Sequence, residues 1–322
     1  MFILKKCTLK NSYNQLLLAI PLVFSLMILY NKNLPATNLD NTFTDCQNCP
    51  EMIKIPAGEF MMGSDTSEIV LGKTRTEGPK HIRKIKTSFA VGINEVTNKE
   101  FETFIQETNY RPSQSCTKWR GKVIQFNGNW LNPDYGRPPA ENEPVVCVSW
   151  YDAKAYTLWL SGKTGQVYRL LSEAEWEYIA KNKGDESWSW GEKETDACKY
   201  SNIFDLDGVK SDYAKEFATW KPTNCADGYQ RVAPVRSFPP NNYGVYDITG
   251  NVWEWAEDCS EINYKTVELD EKPNQVEGHC KRRSVKGGSW LSKISRHRPS
   301  FRGRDPENLS SHIFGFRVAK DL

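Results

Sequence analysis

The chain has 322 residues, of which 39% are hydrophobic and 25% are charged, a composition typical of one large globular domain or two small ones. Its formal net charge of only +2 gives no indication of nucleic acid or of an acidic surface as a partner. Aromatic residues make up 12% of the chain, and Gly and Pro are frequent. This composition predicts short elements joined by long ordered loops.

The N-terminal region has the pattern of an export signal. Residues 1–12 form a short tail with three lysines, and residues 13–31 are largely apolar. The pattern predicts a signal anchor or a signal peptide. The lysines favour a cytoplasmic tail and an extracytoplasmic domain, and no clear cleavage site follows. We therefore expect membrane anchoring, or a secreted or periplasmic protein if the segment is cleaved. Residues 32–50 are polar and predict a linker before a domain at 51–322.

The cysteines also indicate export. Cys7 precedes the apolar segment and eight cysteines follow it, an even number that fits four disulfides in an oxidising compartment. Sequence alone leaves many connectivities open, and nearest-neighbour pairing is the simplest. That pairing is Cys46–Cys49, Cys116–Cys147, Cys198–Cys225 and Cys259–Cys280. Zinc at the first pair is disfavoured because no second metal-binding pair is present.

Alternation of apolar and polar residues predicts several short strands. In chain order they lie at 52–56, 56–63, 82–93, 245–256, 284–290 and 314–319.

Three helices have recognisable starts. Thr97 and Glu100 form a capping box, and Ser172 begins a second one with an acid three residues later. Ser149 can cap the third helix, which we expect Gly162 to end.

Many motifs in a fixed order resemble the formylglycine-generating enzyme family, also called sulfatase-modifying factors. They lie at Ile55–Gly63, Glu95–Asn98, Pro144–Ala153, Tyr168–Tyr178, Phe238–Gly244, Gly250–Trp255, Lys286–Trp290 and Phe314–Val318. The resemblance covers roughly residues 51–322. It implies a single α+β domain, a variant of the C-type-lectin-like topology with little regular secondary structure.

A first calcium site is predicted around Gly250. Asp247 and Glu254 flank a glycine-bearing turn, and carboxylate and carbonyl oxygens are the ligands that calcium requires. The resemblance implies carbonyl ligands at Gly250 and Val252 and a distant acid at Glu95. Asp247 stands where the family usually has Asn.

The resemblance implies a second calcium site made by Asn202, Ile203, Asp227 and Tyr229. Ile203 and Tyr229 would contribute their backbone carbonyls. A disulfide between the cysteines that precede each pair would hold its halves together. The alternative is that these residues only cap turns.

The family's oxidases hold copper(I) with two cysteines after a Gly-Gly-Ser sequence. Counted from Trp290, Ser292 and His297 stand at those positions, and no cysteine follows Cys280. Ser289 matches a serine that lines the family's oxygen pocket. Copper is therefore not expected, because copper(I) prefers thiolates, whereas iron held by histidine remains open. A Ser292–His297 hydrolase pair lacks both a nucleophile elbow and an orienting acid, so we expect His297 to be an exposed loop residue.

Two classes of function follow from this pattern. One is a binding or accessory module that takes a peptide, protein or small molecule in a groove near the C-terminal strand. The other is an oxidoreductase with a different, non-haem-iron-like metal site; formylglycine synthesis itself would rest on homology alone. Five C-terminal arginines either line a basic groove or pair with Asp305 and Glu307. They are Arg296, Arg298, Arg302, Arg304 and Arg317.

Overall fold

A five-stranded and a four-stranded sheet are the largest sheets of the described part of the protein. The structure is a computed structural model that describes residues 41–70, 73–119, 123–211, 220–260, 280 and 282–322. The apolar segment predicted at 13–31 lies outside this range. Within the range, no helix is both long enough and apolar enough to cross a membrane.

The described strands are short, as the dense Gly and Pro content predicts. In chain order they are β1 Thr42–Phe43, β2 Met52–Ile55, β3 Gly58–Met62, β4 Ser67–Val70, β5 Lys73–Thr76, β6 His81–Ile85, β7 Phe89–Gly92, β8 Cys116–Trp119, β9 Val123–Phe126, β10 Tyr168–Leu170, β11 Trp253–Cys259, β12 Arg283–Lys286, β13 Gly303–Asp305, β14 Phe314–Phe316 and β15 Val318–Asp321. One sheet has the order β1-β2-β7-β15-β10, and the other has the order β13-β12-β11-β14. Strands β11 and β14 are parallel, whereas the other described pairs are antiparallel. Three two-stranded sheets pair β3 with β6, β4 with β5, and β8 with β9.

Three α-helices begin where the sequence predicts. They are α1 Asn98–Thr108, α2 Trp150–Thr164 and α3 Glu173–Ala180, and each has a complete capping box. The predicted end of α2 at Gly162 is wrong. The chain reaches the left-handed conformation only at Gly165, with φ of 68°, and that residue ends the helix.

All four described disulfides follow the nearest-neighbour pairing. They are Cys46–Cys49, Cys116–Cys147, Cys198–Cys225 and Cys259–Cys280.

The end of the expected linker carries structure of its own. Thr42 and Phe43 pair with β2, and Asp45 Oδ2 lies 2.6 Å from Lys320 Nζ on β15. Residues 42–49 are thus held against the sheet by backbone pairing and by an ion pair.

Aromatic side chains connect the helices with the second sheet. The rings of Phe101 on α1, Tyr156 on α2 and Phe316 on β14 contact one another, with centroids 5.3 to 6.4 Å apart. Every residue of β11 is buried, because this strand lies between β12 and β14. The strand therefore carries the Glu254 carboxylate into the protein interior.

Candidate metal clusters and the serine–histidine loop

The first predicted metal site is a buried group of acids around one guanidinium. Glu254 accepts hydrogen bonds from Arg317 Nη2 at 2.8 Å and from Trp176 Nε1 at 2.9 Å. Asp247 Oδ2 accepts one from the backbone of Arg236 at 2.6 Å. Glu95 is fully buried, and neither of its carboxylate oxygens has a hydrogen-bond partner among the described residues. We call Glu95, Asp247, Glu254 and Arg317 the acid cluster.

The electrostatics of the acid cluster show a deficit of positive charge. Burial raises the pKa of Glu95 well above its usual range, and Asp247 and Glu254 raise it further. Burial likewise raises the pKa of Asp247 to about 6, with an added contribution from Glu254. Three buried acids thus lie around the guanidinium of Arg317, and the raised pKa of Glu95 favours its protonated form, which a further cation would convert to the carboxylate.

The loop between Asp247 and Glu254 requires its glycine. Gly250 has φ of 85°, and a Cβ there would lie 2.0 Å from Ser201 Oγ and 2.4 Å from the carbonyl oxygen of Asn202. The predicted carbonyl ligands Gly250 and Val252 both lie on this loop. The loop therefore packs directly against the segment that begins the second predicted site.

The second predicted site centres on Asp227. Its Oδ2 accepts a hydrogen bond from the backbone of Ile203 at 3.0 Å, and its Oδ1 accepts one from that of Tyr229 at 2.8 Å. Asn202 is buried, and its Oδ1 has no hydrogen-bond partner among the described residues. The structure thus brings all four predicted residues together. The two N–H contacts are also what the turn-capping alternative predicts.

Asp205 belongs to this second site and was missed from sequence. Its Oδ2 lies 2.6 Å from the backbone nitrogen of Asp227, and the two carboxylates and Cys198 Sγ have ligand atoms within 4.8 Å of one another. Cys198 is disulfide-bonded, so its sulfur is not a thiolate ligand. Burial raises the pKa of Asp227 to about 7, and Asp205 adds to this effect. The sequence signal that could have revealed Asp205 is its position, three residues after Asn202.

Ser292 and His297, the residues at the family's cysteine positions, are buried together with Ser289. Ser289 Oγ and Ser292 Oγ are 3.0 Å apart, and both residues are buried. The prediction that His297 is exposed is wrong, because its exposed fraction is 0%. A 3₁₀ turn at Ile294–His297 folds the imidazole against Gly288, where a Cβ would lie 2.8 Å from the ring.

The His297 ring is uncharged at neutral pH. Its Nδ1 lies 3.1 Å from the carbonyl oxygen of Lys293, and its Nε2 has no hydrogen-bond partner among the described residues. Burial lowers the pKa of His297 to about 4. The partner of His297 Nδ1 is the Lys293 carbonyl and not a carboxylate, so the geometry gives no support to a Ser292–His297 hydrolase pair.

Ion pairs hold both ends of this loop on α3. Lys286 Nζ lies 3.3 Å from Glu177 Oε2, and both residues are fully buried. Arg302 Nε lies 2.7 Å from Glu173 Oε1. Burial opposes ionisation of Glu173, but Arg302 and Lys286 outweigh it and lower its pKa to about 2. The loop from 286 to 302 is therefore fixed by charges at both ends.

Three of the five C-terminal arginines do not form a basic groove. Arg298 pairs with Glu77, Arg302 with Glu173 and Arg317 with Glu254. These acids lie far away in sequence, so local spacing did not reveal them. The proposed partner Glu307 instead lies 3.3 Å from Nε of Arg283.

Arg296 and Arg304 line a cavity of about 280 Å³ beside Ser292. Its aromatic walls come from Trp220, Trp253, Phe301 and Phe314. The cavity thus lies among strands β11 to β14.

Comparison with known proteins defines the class of this fold. The family described as the sulfatase-modifying factor enzyme 1-like domain matches residues 39–322. The chain belongs to this family, which confirms the resemblance seen in the sequence.

Individual relatives include both active and inactive proteins. The chain is 32% identical over 306 residues to the formylglycine-generating enzyme of Mus musculus, covering 84% of this chain and 75% of the mouse protein. It is 32% identical over 303 residues to the inactive C-alpha-formylglycine-generating enzyme 2 of Bos taurus, covering 83% and 87%. The solved structure of PvdO from Pseudomonas aeruginosa superposes with a TM-score of 0.70 at 32% identity, covering 87% of this chain and 98% of PvdO.

Proposed function

We propose that the protein is an exported, calcium-stabilised member of this family that does not perform copper oxidation and acts as a binding or accessory module. The observation that carries the proposal is the neutral Ser289–Ser292–His297 loop, with two hydroxyls bonded to each other and a buried imidazole. A relative at 32% identity is itself named inactive, so this family includes proteins without the oxidase activity.

The chemistry of the loop argues against copper(I). Hydroxyl groups are hard, weak ligands, whereas copper(I) prefers thiolates, and a hydroxyl cannot take part in sulfur exchange with a substrate cysteine. No cysteine follows Cys280, and the eight cysteines from Cys46 onward are disulfide-bonded. Thiolate chemistry therefore has no donor in the exported part of the chain.

Calcium fits the acid cluster. The proposal is supported by the two oxygens of Glu95, which have no hydrogen-bond partner among the described residues, and by the raised pKa of this buried acid, which a bound cation would lower. Glu95, Asp247 and Glu254 would hold the ion, with the carbonyls of Gly250 and Val252. Bound calcium would supply the missing positive charge and link β11 to the segment before α1.

A second calcium ion is proposed at Asp227, where turn capping accounts for the same N–H contacts. Asn202 and Asp227 would hold it, with the carbonyls of Ile203 and Tyr229, and the Asp205 carboxylate is an additional acid. The unpartnered Asn202 Oδ1 supports a ligand there.

Iron receives no comparable support. The acids of the acid cluster are not all within 4.8 Å of one another, and within the part of the chain that the structure describes three metal-ligating side chains reach that spacing at Cys198, Asp205 and Asp227. This group contains no histidine, and its sulfur is in a disulfide. The oxidoreductase alternative has no observation that favours it.

Export is proposed from the disulfides and from the N-terminal sequence. Four disulfides are typical of an oxidising compartment. Anchoring by residues 13–31 remains a sequence prediction.

A peptide assay tests the proposal. Purified protein is incubated with a Cys-x-Pro-x-Arg peptide, copper, a reductant and oxygen, and the product is analysed by mass spectrometry. We expect no aldehyde above a no-protein control, while mouse formylglycine-generating enzyme serves as the positive control. Aldehyde that disappears when copper is chelated would contradict the proposal. Metal analysis of the same sample should find calcium but neither copper nor iron in stoichiometric amounts.

A further inference from the structure

Two adjoining hollows form a groove that shares no lining residue with the cavity beside Ser292. The larger hollow has a volume of about 470 Å³ and reaches the acid cluster at Asp247. The smaller hollow has a volume of about 360 Å³. Lys183 and Gly184 belong to both linings, so the two hollows meet at these residues. We call the two hollows together the double groove.

Aromatic side chains line both hollows. In the smaller one, the rings of Phe60, Tyr178 and Tyr243 form a row with successive centroids 5.4 and 5.5 Å apart. In the larger one, Trp190 is part of the lining, and Trp188 stacks on it with centroids 5.8 Å apart and ring planes at 6°. Phe60 and Trp190 are only half-buried. The double groove therefore offers aromatic surface on which a flat apolar face of a ligand can pack.

The junction of the two hollows carries one carboxylate and one ammonium. A Cβ at Gly184 would lie 1.7 Å from Glu186 Oε2, so this carboxylate lies against a residue that both hollows share. Lys183 Nζ lies 4.8 Å from the centroid of the Tyr243 ring. Among the described residues, neither Lys183 nor Glu186 forms an ion pair. The other charged residues of the smaller hollow are in ion pairs; they are Glu59, Lys181 and Asp185. The junction thus has no net charge and favours a neutral ligand that both donates and accepts hydrogen bonds.

Amide and hydroxyl groups make the walls of the larger hollow polar. Asn182 Oδ1 accepts a hydrogen bond from the backbone of Asn242 at 2.6 Å. Ser189 Oγ and Thr249 Oγ1 lie 2.9 Å apart. A bond between two hydroxyl groups uses one of their two protons, so the second proton is available to a ligand.

The backbone at the junction adopts a conformation that side chains disfavour. Asn182 and Lys183 are successive residues with φ of 54° and 68°, in the left-handed region. Strain of this kind concentrates at functional sites. The fold therefore holds Lys183 at the junction against its backbone preference.

We propose that the double groove binds a β-1,4-linked oligosaccharide of glucose configuration, with sugar rings packed on the aromatic side chains and hydroxyl groups at the junction. In this configuration the ring substituents are equatorial, so each ring has two apolar C–H faces and a polar edge. The inference rests on the proposed binding function and names its ligand class. Each hollow lies within the roughly 300–1,000 Å³ of small-ligand pockets, so the two together accommodate more than one sugar ring.

Three uncharged trisaccharides test the proposal. Cellotriose and N,N′,N″-triacetylchitotriose share the straight β-1,4-linked backbone, whereas maltotriose joins the same glucose units through axial bonds that curve the chain. Isothermal titration of the purified chain with calcium present measures each affinity. We expect saturable binding of at least one β-linked probe and at least roughly tenfold weaker binding of maltotriose. Salt should change the affinity little, because the probes carry no charge.

Matched variants locate the binding. Tyr200 lines the larger hollow and is 42% exposed, and Tyr200→Ala should weaken binding roughly fivefold. Tyr151→Ala is its control, because Tyr151 is 43% exposed and lines neither hollow. Glu186→Gln should weaken binding roughly tenfold, whereas Glu102→Gln, at an exposed acid of α1, should not. Lys183→Gly should also weaken binding without lowering the melting temperature, because glycine adopts the left-handed conformation without strain.

Each contrary result overturns a defined part. The whole inference fails if neither β-linked probe binds saturably at about 10 mM, well above a millimolar dissociation constant. Binding that none of the three groove variants weakens would place the sugar elsewhere, and equal binding of maltotriose would overturn the linkage. The double groove contains none of the residues at the family's cysteine positions, so these results leave the aldehyde assay independent. Failure of the inference is therefore distinguishable from failure of the proposed function.

Discussion

The acid cluster and the serine–histidine loop are both buried, yet they differ in how their polar groups are satisfied. In the acid cluster, the two oxygens of Glu95 have no hydrogen-bond partner among the described residues, and three acids lie around one guanidinium. In the loop, Ser289 and Ser292 bond to each other, and His297 is neutral. Buried acids without partners are costly and would be stabilised by a bound cation, whereas hydroxyl groups that bond to each other need no further ligand. The two regions therefore differ in what they offer a metal ion: acid oxygens in the acid cluster, and paired hydroxyls in the loop.

The largest effect is expected when the guanidinium of Arg317 is removed from the acid cluster. In Arg317→Gln, the carboxylate of Glu254 loses its buried partner, and we expect a loss of about 3–5 kcal/mol in the free energy of unfolding. Urea unfolding in the presence of a chelator measures this loss. The loss should be smaller with calcium, which would supply positive charge. The exposed Arg111→Gln control should stay within about 0.5 kcal/mol of the wild type. A similarly small loss for Arg317→Gln would mean that the acids are not held as carboxylates.

The pH dependence of stability tests the neutral imidazole of the loop. Because the folded-state pKa of His297 is about 4, below its ordinary value of 6.5, the unfolded chain takes up the proton first as pH falls. The contribution is complete above about pH 6.5 and is lost as pH falls toward 4, in total roughly 3 kcal/mol.

The variant His297→Gln should remove this part of the slope between pH 7 and 4.5, while the carboxyl groups contribute equally to both proteins. Urea unfolding at several pH values gives the slopes, and His81→Gln, at the start of β6, is the matched control. Identical slopes for the wild type and His297→Gln would show that the imidazole takes up its proton at the same pH in the folded and unfolded chains.

Calcium binding gives the next largest effect. A ligand at about 100 times its dissociation constant stabilises the folded state by about 2.7 kcal/mol, which thermal unfolding detects as a higher melting temperature. Glu95→Gln should reduce this gain, because the carboxylate with two unpartnered oxygens becomes neutral. Glu59→Gln, an exposed acid on β3, should not. A melting temperature of the wild type that chelator leaves unchanged would contradict calcium binding.

The smallest effect concerns the two hydroxyls of the loop. Ser292→Ala leaves Ser289 without this partner and should cost about 1 kcal/mol, whereas changing both serines to alanine should cost little more. A double-mutant cycle by urea unfolding measures the coupling between them. A coupling near zero would show that the pair is not a satisfied unit and would weaken the contrast with the acid cluster.

Local patterns in the sequence were sufficient for many elements of the fold. Each capping box depends on residues three positions apart, and all three helices begin as predicted. The disulfides join neighbouring cysteines, so the simplest pairing was correct. Asp247 and Glu254 were selected because they flank the turn at Gly250, and Glu95 was added because its motif resembles a known family.

Long-range contacts were the part that local patterns did not reveal. Arg298 meets Glu77 across 221 positions, and only the folded chain shows that this arginine is unavailable to a groove. The burial of His297 depends on the approach of its 3₁₀ turn to Gly288. Asp205 joins the second site through the backbone of Asp227, a contact that residue type alone does not indicate.

The ion pairs at the ends of the loop have an evolutionary consequence. Because Lys286 and Arg302 fix the ends on α3, the path of the backbone does not depend on a metal between them. Selection on this chain could therefore exchange side chains at 292 and 297 while the rest of the protein stayed folded.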